Sequence, residues 1–429
     1  MKQIFKSIIA HPGRATGLLI EVIIVTIIGW IVIEPVAIKT TTALIPAGYD
    51  YDRLIKVSLS RFSSRSEKYD SNIPTDNEQR DAAYDRLLRM LRQRNGVENA
   101  TFDFSLGFES SSSSMSGIKA DSVFKKDDEE CYVGVSFIEY KPNTEYFTTF
   151  GIKDINGNPF SEPNNNGNSY IIGKSTAKSL CHNKSAIGTN LFTWDDEEKS
   201  TIIGVTEDTP YKKGSGRTAI VFRVANQEWA SPEGIVMRLR KGVNPRSFVD
   251  KLINDMPDYR SGNYYITHPQ LLSDIREESF SSQKRELIQK WIIVIFFLVN
   301  MLLGIAGTFY VQCKTRIPDA GVMRAFGARR SLIEWSIVGE ACLLAFIGWL
   351  IGSIIYIIYL KYQGFPMEFD TDSYIIRIIR PIWYDTKLGR YSVIGSIILL
   401  LLLTTSALGA WLPARKVGRV PIVDSLRDE

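Results

Sequence analysis

Residues 291–311 read WIIVIFFLVNMLLGIAGTFYV and carry no charged side chain. An α-helix needs about 20 apolar residues to cross the hydrocarbon core of a bilayer, so this stretch predicts a membrane helix. Three more apolar runs are long enough to do the same: Ala15–Ile33, Leu332–Leu360 and Ser392–Trp411. Residues 34–290, between the first and second runs, have ordinary soluble composition. The chain therefore reads as a folded domain hung from two of four membrane helices. A mean hydropathy of −0.05 conceals this by averaging the two parts. The net charge is only +4, and the basic excess lies beside the apolar runs. That pattern marks membrane topology and gives no sign of a nucleic-acid partner.

Lysines and arginines collect on the cytoplasmic side of membrane proteins. Lys2, Lys6 and Arg14 precede the first run; Lys314, Arg316, Arg324, Arg329 and Arg330 fill the loop between the second and third; Arg415, Lys416, Arg419 and Arg427 follow the last. Four crossings put these three segments on one face. The expected layout is a cytoplasmic N-terminus at 1–14, helices at 15–33, 291–311, 332–360 and 392–411, a cytoplasmic loop at 312–331 and a cytoplasmic tail at 412–429. Segments 34–290 and 361–391 then lie outside. The basic N-terminus resembles a signal peptide, but its apolar stretch is long and Ile33-Glu34-Pro35-Val36 is a poor cleavage site, so an uncleaved helix is expected. Segment 361–391 mixes basic and acidic residues, and its run Tyr374–Tyr384 is expected along the outer interface.

The outer segment reads as mixed α/β. Arg53–Ser60 alternates like a strand, Asp76–Arg94 has helical spacing with a stripe of Ala83, Leu87, Leu88, Met90 and Leu91, and Val97–Ser105 alternates again. The same order returns late, with a strand at Gly234–Arg240, a helix at Pro245–Met256 and a strand at Asn263–His268. Two βαβ-type units flanking a central stretch predict a split subdomain with a mainly-β subdomain inserted into it. The serine run Ser110–Ser114 is expected as a boundary loop, and Gln270–Lys290 as a helical stalk leading into the second membrane helix.

No catalytic or nucleotide motif stands out. Gly167–Ser175 (GNSYIIGKS) is the nearest match to a phosphate loop, but Asn168 stands where the first glycine belongs, and the intervening residues favour a strand. His11, His182 and His268 are far apart, with no metalloprotease, serine-hydrolase or paired zinc spacing around them. The acidic runs Asp127–Glu130 and Asp195–Glu198 read as solvated loops, with a cation site as the sharper alternative. Cys131 and Cys181 share the outer segment, where a disulfide and two free thiols are both open; Cys313 and Cys342 lie at membrane helices. No metal is expected, and the chain is not expected to be an enzyme.

Three motifs give a family resemblance. Ile317-Pro-Asp319-Ala-Gly321-Val322-Met-Arg324-Ala325-Phe-Gly327-Ala328-Arg329 resembles the E-I-G-x-x-R-A-x-G-A signature of FtsX/MacB-type ABC transporter permeases. Pro413-Ala-Arg415-Lys, then Pro421-Ile-Val-Asp424-Ser-Leu426-Arg427, is similar to that family's P-A-R-x-A…P-x-E-A-L-R tail. Tyr146-Phe147-Thr-Thr-Phe150-Gly151-Ile152 is similar to its Y-F-x-x-F-G-I segment. Asp319 and Asp424 replace the usual glutamates, and Pro318 a common basic residue.

The resemblance implies a permease that binds no cofactor itself, with ATP and Mg held by a separate cytoplasmic ABC-type ATPase. It also implies a second permease, identical or paralogous, a place in the bacterial inner membrane, and an adaptor or envelope protein as a further partner. The loop at 312–331 then corresponds to the coupling helix on which the ATPase pushes. Local chemistry agrees: Pro318 suits a first turn, Asp319 complements the positive end of the helix dipole, and Gly327 suits the end. Arg324, Arg329 and Arg330 offer donors to a partner, or to lipid headgroups. Pro413, Arg415, Pro421, Asp424, Leu426 and Arg427 are expected to support that cytoplasmic surface.

Two acidic residues interrupt the apolar runs. Glu21 and Glu340 sit about 9–12 Å from the cytoplasmic ends at 1.5 Å per residue. Intramembrane charge usually faces protein, so the two are expected to hold the first and third helices in register, or else to reach toward the interface or be protonated. Gly348 with Gly352, and Gly304 with Gly307, permit close helix contact within the chain or between permeases. The sequence therefore points to the membrane subunit of a mechanotransmission-type transporter. An FtsX-like scaffold that regulates an envelope enzyme is the alternative, and a membrane-anchored enzyme a third reading.

Overall fold

The computed structural model describes residues 12–110, 112, 114–120, 133–165, 167–181, 185–193, 199–214, 219–226, 230–315, 317–363, 383 and 386–419. In chain order the elements are α1 (Pro12–Ala43), β1 (Leu54–Arg61), α2 (Asn77–Arg92), β2 (Val97–Asp103), β3 (Met115–Ala120), β4 (Val133–Tyr140), α3 (Tyr146–Phe150), β5 (Ser169–Gly173), α4 (Lys174–Cys181) and β6 (Asn190–Thr193). They continue as β7 (Ser200–Thr206), β8 (Ala219–Val224), β9 (Gly234–Leu239), α5 (Pro245–Asp255), β10 (Arg260–Ser261), β11 (Tyr264–Leu271), α6 (Leu272–Thr315), α7 (Ile317–Ala325), α8 (Arg330–Gln363) and α9 (Lys387–Arg419). The chain divides into two compact units, one holding Thr40–Ser282, the other the described residues up to Lys39 and from Gln283 onward, except for 367–380.

In the first unit, a five-stranded sheet has the order β10-β11-β1-β9-β2 with antiparallel neighbours throughout. Since β1 and β2 both oppose β9, they run parallel with β9 between them, which makes β1-α2-β2 a split βαβ unit. Strands β9 and β11 stand in the same relation around β1. Side chains alternate across the sheet because strands have a period of two. Ile55, Val57, Ile235, Met237 and Leu239 face a core shared with α2 and α5, whereas Leu54 and Val236 face an aromatic core on the other side. Helix α2 starts at Asp76, whose carboxylate accepts from the Gln79 N–H at 2.8 Å. Its buried stripe is Ala83, Tyr84, Leu87, Leu88 and Leu91; Met90, expected inside, is 36% exposed, and Tyr84 lies inside instead.

The segment between β2 and β9 closes six strands into a barrel of order β3-β4-β8-β5-β7-β6. Two of its pairings, β4–β8 and β5–β7, are parallel. The Tyr146–Ile152 motif supplies the aromatic core. Tyr146, Phe147, Phe150 and Ile152 are all buried, with the rings of Tyr146 and Phe150 4.7 Å apart and those of Phe147 and Phe222 5.2 Å apart. Gly151 ends α3 at φ +67, and a Cβ there would lie 2.3 Å from Arg238 Nη2, so backbone conformation and space both demand glycine.

The second unit holds apolar helical stretches. Four helices are long and apolar enough to cross a membrane, at Thr16–Ala43, Leu272–Val311, Arg330–Tyr362 and Leu388–Val417. Helix α1 does not end at Ile33: it continues through Glu34 and Pro35 to Ala43. Glu34 is buried with partners of its own, so the charge that ends the apolar run does not end the helix. Helix α6 runs unbroken from Leu272 to Thr315, about 66 Å at 1.5 Å per residue. Tyr374–Tyr384 falls almost wholly outside the described residues.

Candidate functional site

The loop between α6 and α8 folds as the short helix α7. Ile317 begins it, Pro318 occupies the first turn, and Asp319, Gly321, Val322, Arg324 and Ala325 lie along it. Gly327 stops it at φ +90, where the Ala328 N–H bonds to the Met323 carbonyl at 3.0 Å and the Gly327 N–H to the Arg324 carbonyl at 3.0 Å. This crossed pair is a Schellman motif, which needs a left-handed residue at the position Gly327 holds. Ala320 is buried in the core of the helical unit and Ile317 packs against it. The opposite side shows Val322 and Met323, each about half exposed, and Phe326 at 88% exposure. Arg329 and Arg330 are exposed beyond it, and the start of α8 adds exposed Leu332 and Trp335. An apolar, basic-rimmed surface on a short rigid helix has the composition of a protein contact.

The tail motif divides. Pro413 lies within α9 and, with Ala414 and Val417, is buried. Arg415 is exposed, its guanidinium 5.1 Å from the Trp411 ring, and Lys416 lies 5.2 Å from that of Tyr310. Pro421, Asp424, Leu426 and Arg427 fall outside the described residues.

Glu21 lies against the second membrane helix. A Cβ built on Gly304 of α6 would lie 2.4 Å from its carboxylate, so Glu21 occupies space that this glycine leaves open on the second membrane helix. Contact between α1 and α8 is made by small residues instead. A Cβ on Gly348 would meet Val22 at 2.6 Å, and one on Gly352 would meet Thr26 at 2.8 Å. The Gly348–Gly352 pair therefore serves packing within the chain. Gly307 faces open space, and Glu340 is buried on α8.

A second polar cluster lies just past the first apolar run, around Glu34 of α1. Glu34 is 5% exposed; it accepts from the Tyr356 hydroxyl at 2.9 Å and lies 3.6 Å from Arg390 Nη1. Trp30 stacks on Tyr356 at 5.2 Å and donates to Ser353 Oγ at 3.0 Å. Helices α1, α8 and α9 meet there. Beyond the apolar runs, Lys39 of α1 pairs with Glu286 of α6 at 2.7 Å.

In the first unit, Gly167–Ser175 forms strand β5 and the start of α4. The Asp208 carboxylate sits at that helix N-terminus, accepting the Ser175 N–H at 2.8 Å and the Ser175 hydroxyl, so a carboxylate already holds the place a phosphate would need. Burial raises the Asp103 carboxyl above its ordinary range, and the ion pair with Lys56 pulls the other way. A cleft lined by Tyr84, Phe102, Phe104 and Lys141 holds about 50 Å³, room for little more than water. Cys181 and Cys313 are buried. Among the described residues no three His, Cys, Asp or Glu side chains gather in a metal-binding arrangement. Cys131, His11, His182, Asp127–Glu130 and Asp195–Glu198 fall outside the described residues.

Comparison with known proteins bears on both units. The family profile of the FtsX-like permease C-terminal region matches residues 291–422, and that of the MacB-like periplasmic core domain matches residues 37–254. The chain belongs to the MacB/FtsX-type permeases. Macrolide export ATP-binding/permease protein MacB of Escherichia coli O157:H7 is 22% identical over 297 residues, 66% of this chain and 42% of that protein. The protein of the same name from Shigella boydii serotype 4 is 21% identical over 294 residues, with the same coverage. This permease thus spans 42% of the length of these curated relatives. Among solved structures, the periplasmic region of MacB from Actinobacillus actinomycetemcomitans overlaps 54% of this chain and 94% of its own at 11% identity and a TM-score of 0.32. A domain of a permease protein from Porphyromonas gingivalis overlaps 53% and 98% at 19% identity and a TM-score of 0.31.

Proposed function

We propose that this permease is the membrane subunit of a MacB-like, mechanotransmission-type ABC transporter. A separate cytoplasmic ATPase, holding ATP and Mg, pushes on α7. The chain works beside a second permease in a bacterial inner membrane, in the 1+3 arrangement, with Thr40–Ser282 outside. Movement that enters at α7 passes through the membrane helices into the outer unit and performs export or envelope-associated work.

One observation carries this reading: α7 is a capped helix between two membrane helices that buries Ala320 and presents Val322, Met323 and Phe326 outward. A loop held only by lipid headgroups has no need of a fixed end. In this scheme Arg324, Arg329 and Arg330 rim the contact, and Arg415 supports it.

Purification in mild detergent, with identification of the bound proteins, tests the proposal. The chain is expected to bring down an ATP-binding protein, and Asp319→Lys combined with Arg324→Glu is expected to release it. An ATPase retained in full by that double variant counts against α7 as the contact.

A further inference from the structure

The root of α6 holds a buried charge cluster that the α7 surface does not use. The Glu109 side chain is fully covered. Its Oε1 accepts from Arg276 Nη1, from the Tyr49 hydroxyl at 3.1 Å and from the Lys213 N–H at 3.1 Å. Its Oε2 accepts from the Ser279 hydroxyl at 3.1 Å and from the same N–H at 3.2 Å. The Glu109 N–H donates to the Tyr211 carbonyl at 3.1 Å, and the residue sits at φ +57. The Arg276 guanidinium lies 5.0 Å from the Tyr51 ring and 5.9 Å from that of Tyr49.

The donors come from three stretches of chain, the segment after α1, the loop between β7 and β8 and the first turns of α6, and they meet on a carboxylate from a fourth, the loop after β2. On α6, Leu272, Arg276, Ser279 and Phe280 share one helical face, and Leu272 and Phe280 are buried as well. A buried ion pair is a poor source of net stability, and a left-handed glutamate is strained. Both costs fall at the one place where α6 enters its unit. An ion pair with several directional donors does something an apolar contact does not. Apolar side chains slide past one another at little cost, whereas a small rotation of α6 leaves the carboxylate unpaired in a dry site.

We infer that Glu109 and Arg276 are the joint by which α6 grips the outer unit, positioning residues that turn displacement of the helix into displacement of the whole unit. This rests on the permease reading. The test uses the full chain in lipid nanodiscs, with native cysteines replaced and spin labels at the exposed positions Glu278→Cys and Lys178→Cys. The parent chain is expected to give a single narrow distance. Glu109→Gln is expected to lose it, and Arg276→Lys, which keeps the charge without the planar fork, to broaden it less. Glu139→Gln breaks another buried pair, with Arg223 at 2.8 Å inside the barrel, and is expected to leave the distance narrow. A narrow distance in both Glu109→Gln and Arg276→Lys, or equal broadening by Glu139→Gln, overturns the joint. In the complex with an ATPase, the parent distance is expected to stay the same with and without nucleotide, and Glu109→Gln is expected to keep hydrolysis while its distance shifts with nucleotide. A chain that captures no ATPase defeats the permease reading, while the distances in the chain alone still judge the joint.

Discussion

Glu109 and Glu34 are both buried carboxylates that tie together segments far apart in sequence, and they are satisfied differently. Glu109, in the α/β unit, faces a guanidinium directly and accepts two hydroxyls and a backbone N–H besides. Glu34, among the membrane helices, takes one short hydrogen bond from a phenol and has its arginine at 3.6 Å. The neighbourhoods differ in the same way. Glu109 lies beside the stacked rings of Tyr49 and Phe108, whereas the helices near Glu34 approach through Gly348 and Gly352. One unit is held by dense aromatic and ionic contacts, the other by close backbone approach with sparse polar links. On the proposed reading, the first kind suits a joint that transmits movement, and the second suits helices that shift slightly against one another.

Removing one partner of the denser cluster should have the largest effect. Glu109→Ala leaves Arg276 buried without its carboxylate, and breaking a buried pair in this way costs about 3–5 kcal/mol. The check is thermal or denaturant unfolding of the full chain in detergent. A loss no greater than that of a surface variant such as Glu278→Ala would erase the contrast between the two clusters.

Alkaline pH should separate the units next. Burial raises the phenol pKa values of Tyr49, Tyr140 and Tyr146, all in the aromatic core. Unfolded tyrosine ionises near pH 10, and the folded groups ionise higher, so the stability they lend is complete below pH 10 and declines as pH rises beyond it. Each tyrosine contributes about 1.4 kcal/mol per pH unit in that range. Tyrosinate absorbance should appear cooperatively, together with loss of near-ultraviolet circular dichroism, while the membrane helices keep their far-ultraviolet signal. Gradual ionisation of these phenols without unfolding would contradict the dense packing described.

A smaller effect should follow from crowding the helical approach. Gly352→Leu places side-chain atoms where Thr26 already lies, and overpacking of this kind costs about 1–3 kcal/mol. Gly307→Leu, facing open space, should be close to neutral. Reversal of that order in detergent melting curves would mean that α1 and α8 do not meet through this glycine.

The two regions also differed in how much of them could be read from sequence. Apolar runs and alternating strands are local patterns, so the membrane helices, the strands of the split sheet and the stripe of α2 were visible. The capped helix α7 was visible too, because Pro318 and Gly327 each have a positional meaning. The barrel was not legible in detail. Strand β4 is buried along its whole length and shows no alternation, and its parallel partner β8 lies some 85 residues away. Glu109 and Arg276 are 167 residues apart, and no local rule pairs them. The one available hint was Arg276 and Ser279 sharing a face with Leu272 and Phe280. Glu34 carries no local sign of its role: it is a charge beside a proline at the edge of an apolar run, and only the fold shows it partnered within a helix.

The smallest effect, and the sharpest test of the comparison, concerns Glu34 itself. Hydrogen bonds between membrane helices average roughly 0.6 kcal/mol in double-mutant cycles, because the unfolded chain in lipid also finds partners. Glu34→Ala, Tyr356→Phe and the double variant should therefore give a coupling of that order, several-fold below the cost of removing Glu109. Glu34→Gln keeps an acceptor for the Tyr356 hydroxyl, so most of its loss should come from the weakened pull of Arg390. That pull acts across 3.6 Å, without the close, multiply supported contact that Arg276 makes with Glu109. Equilibrium unfolding in mixed detergent micelles measures the cycle. A coupling as large as that between Glu109 and Arg276 would show that α1, α8 and α9 are locked as firmly as the root of α6, and the helices could then no longer be described as the looser part of the molecule.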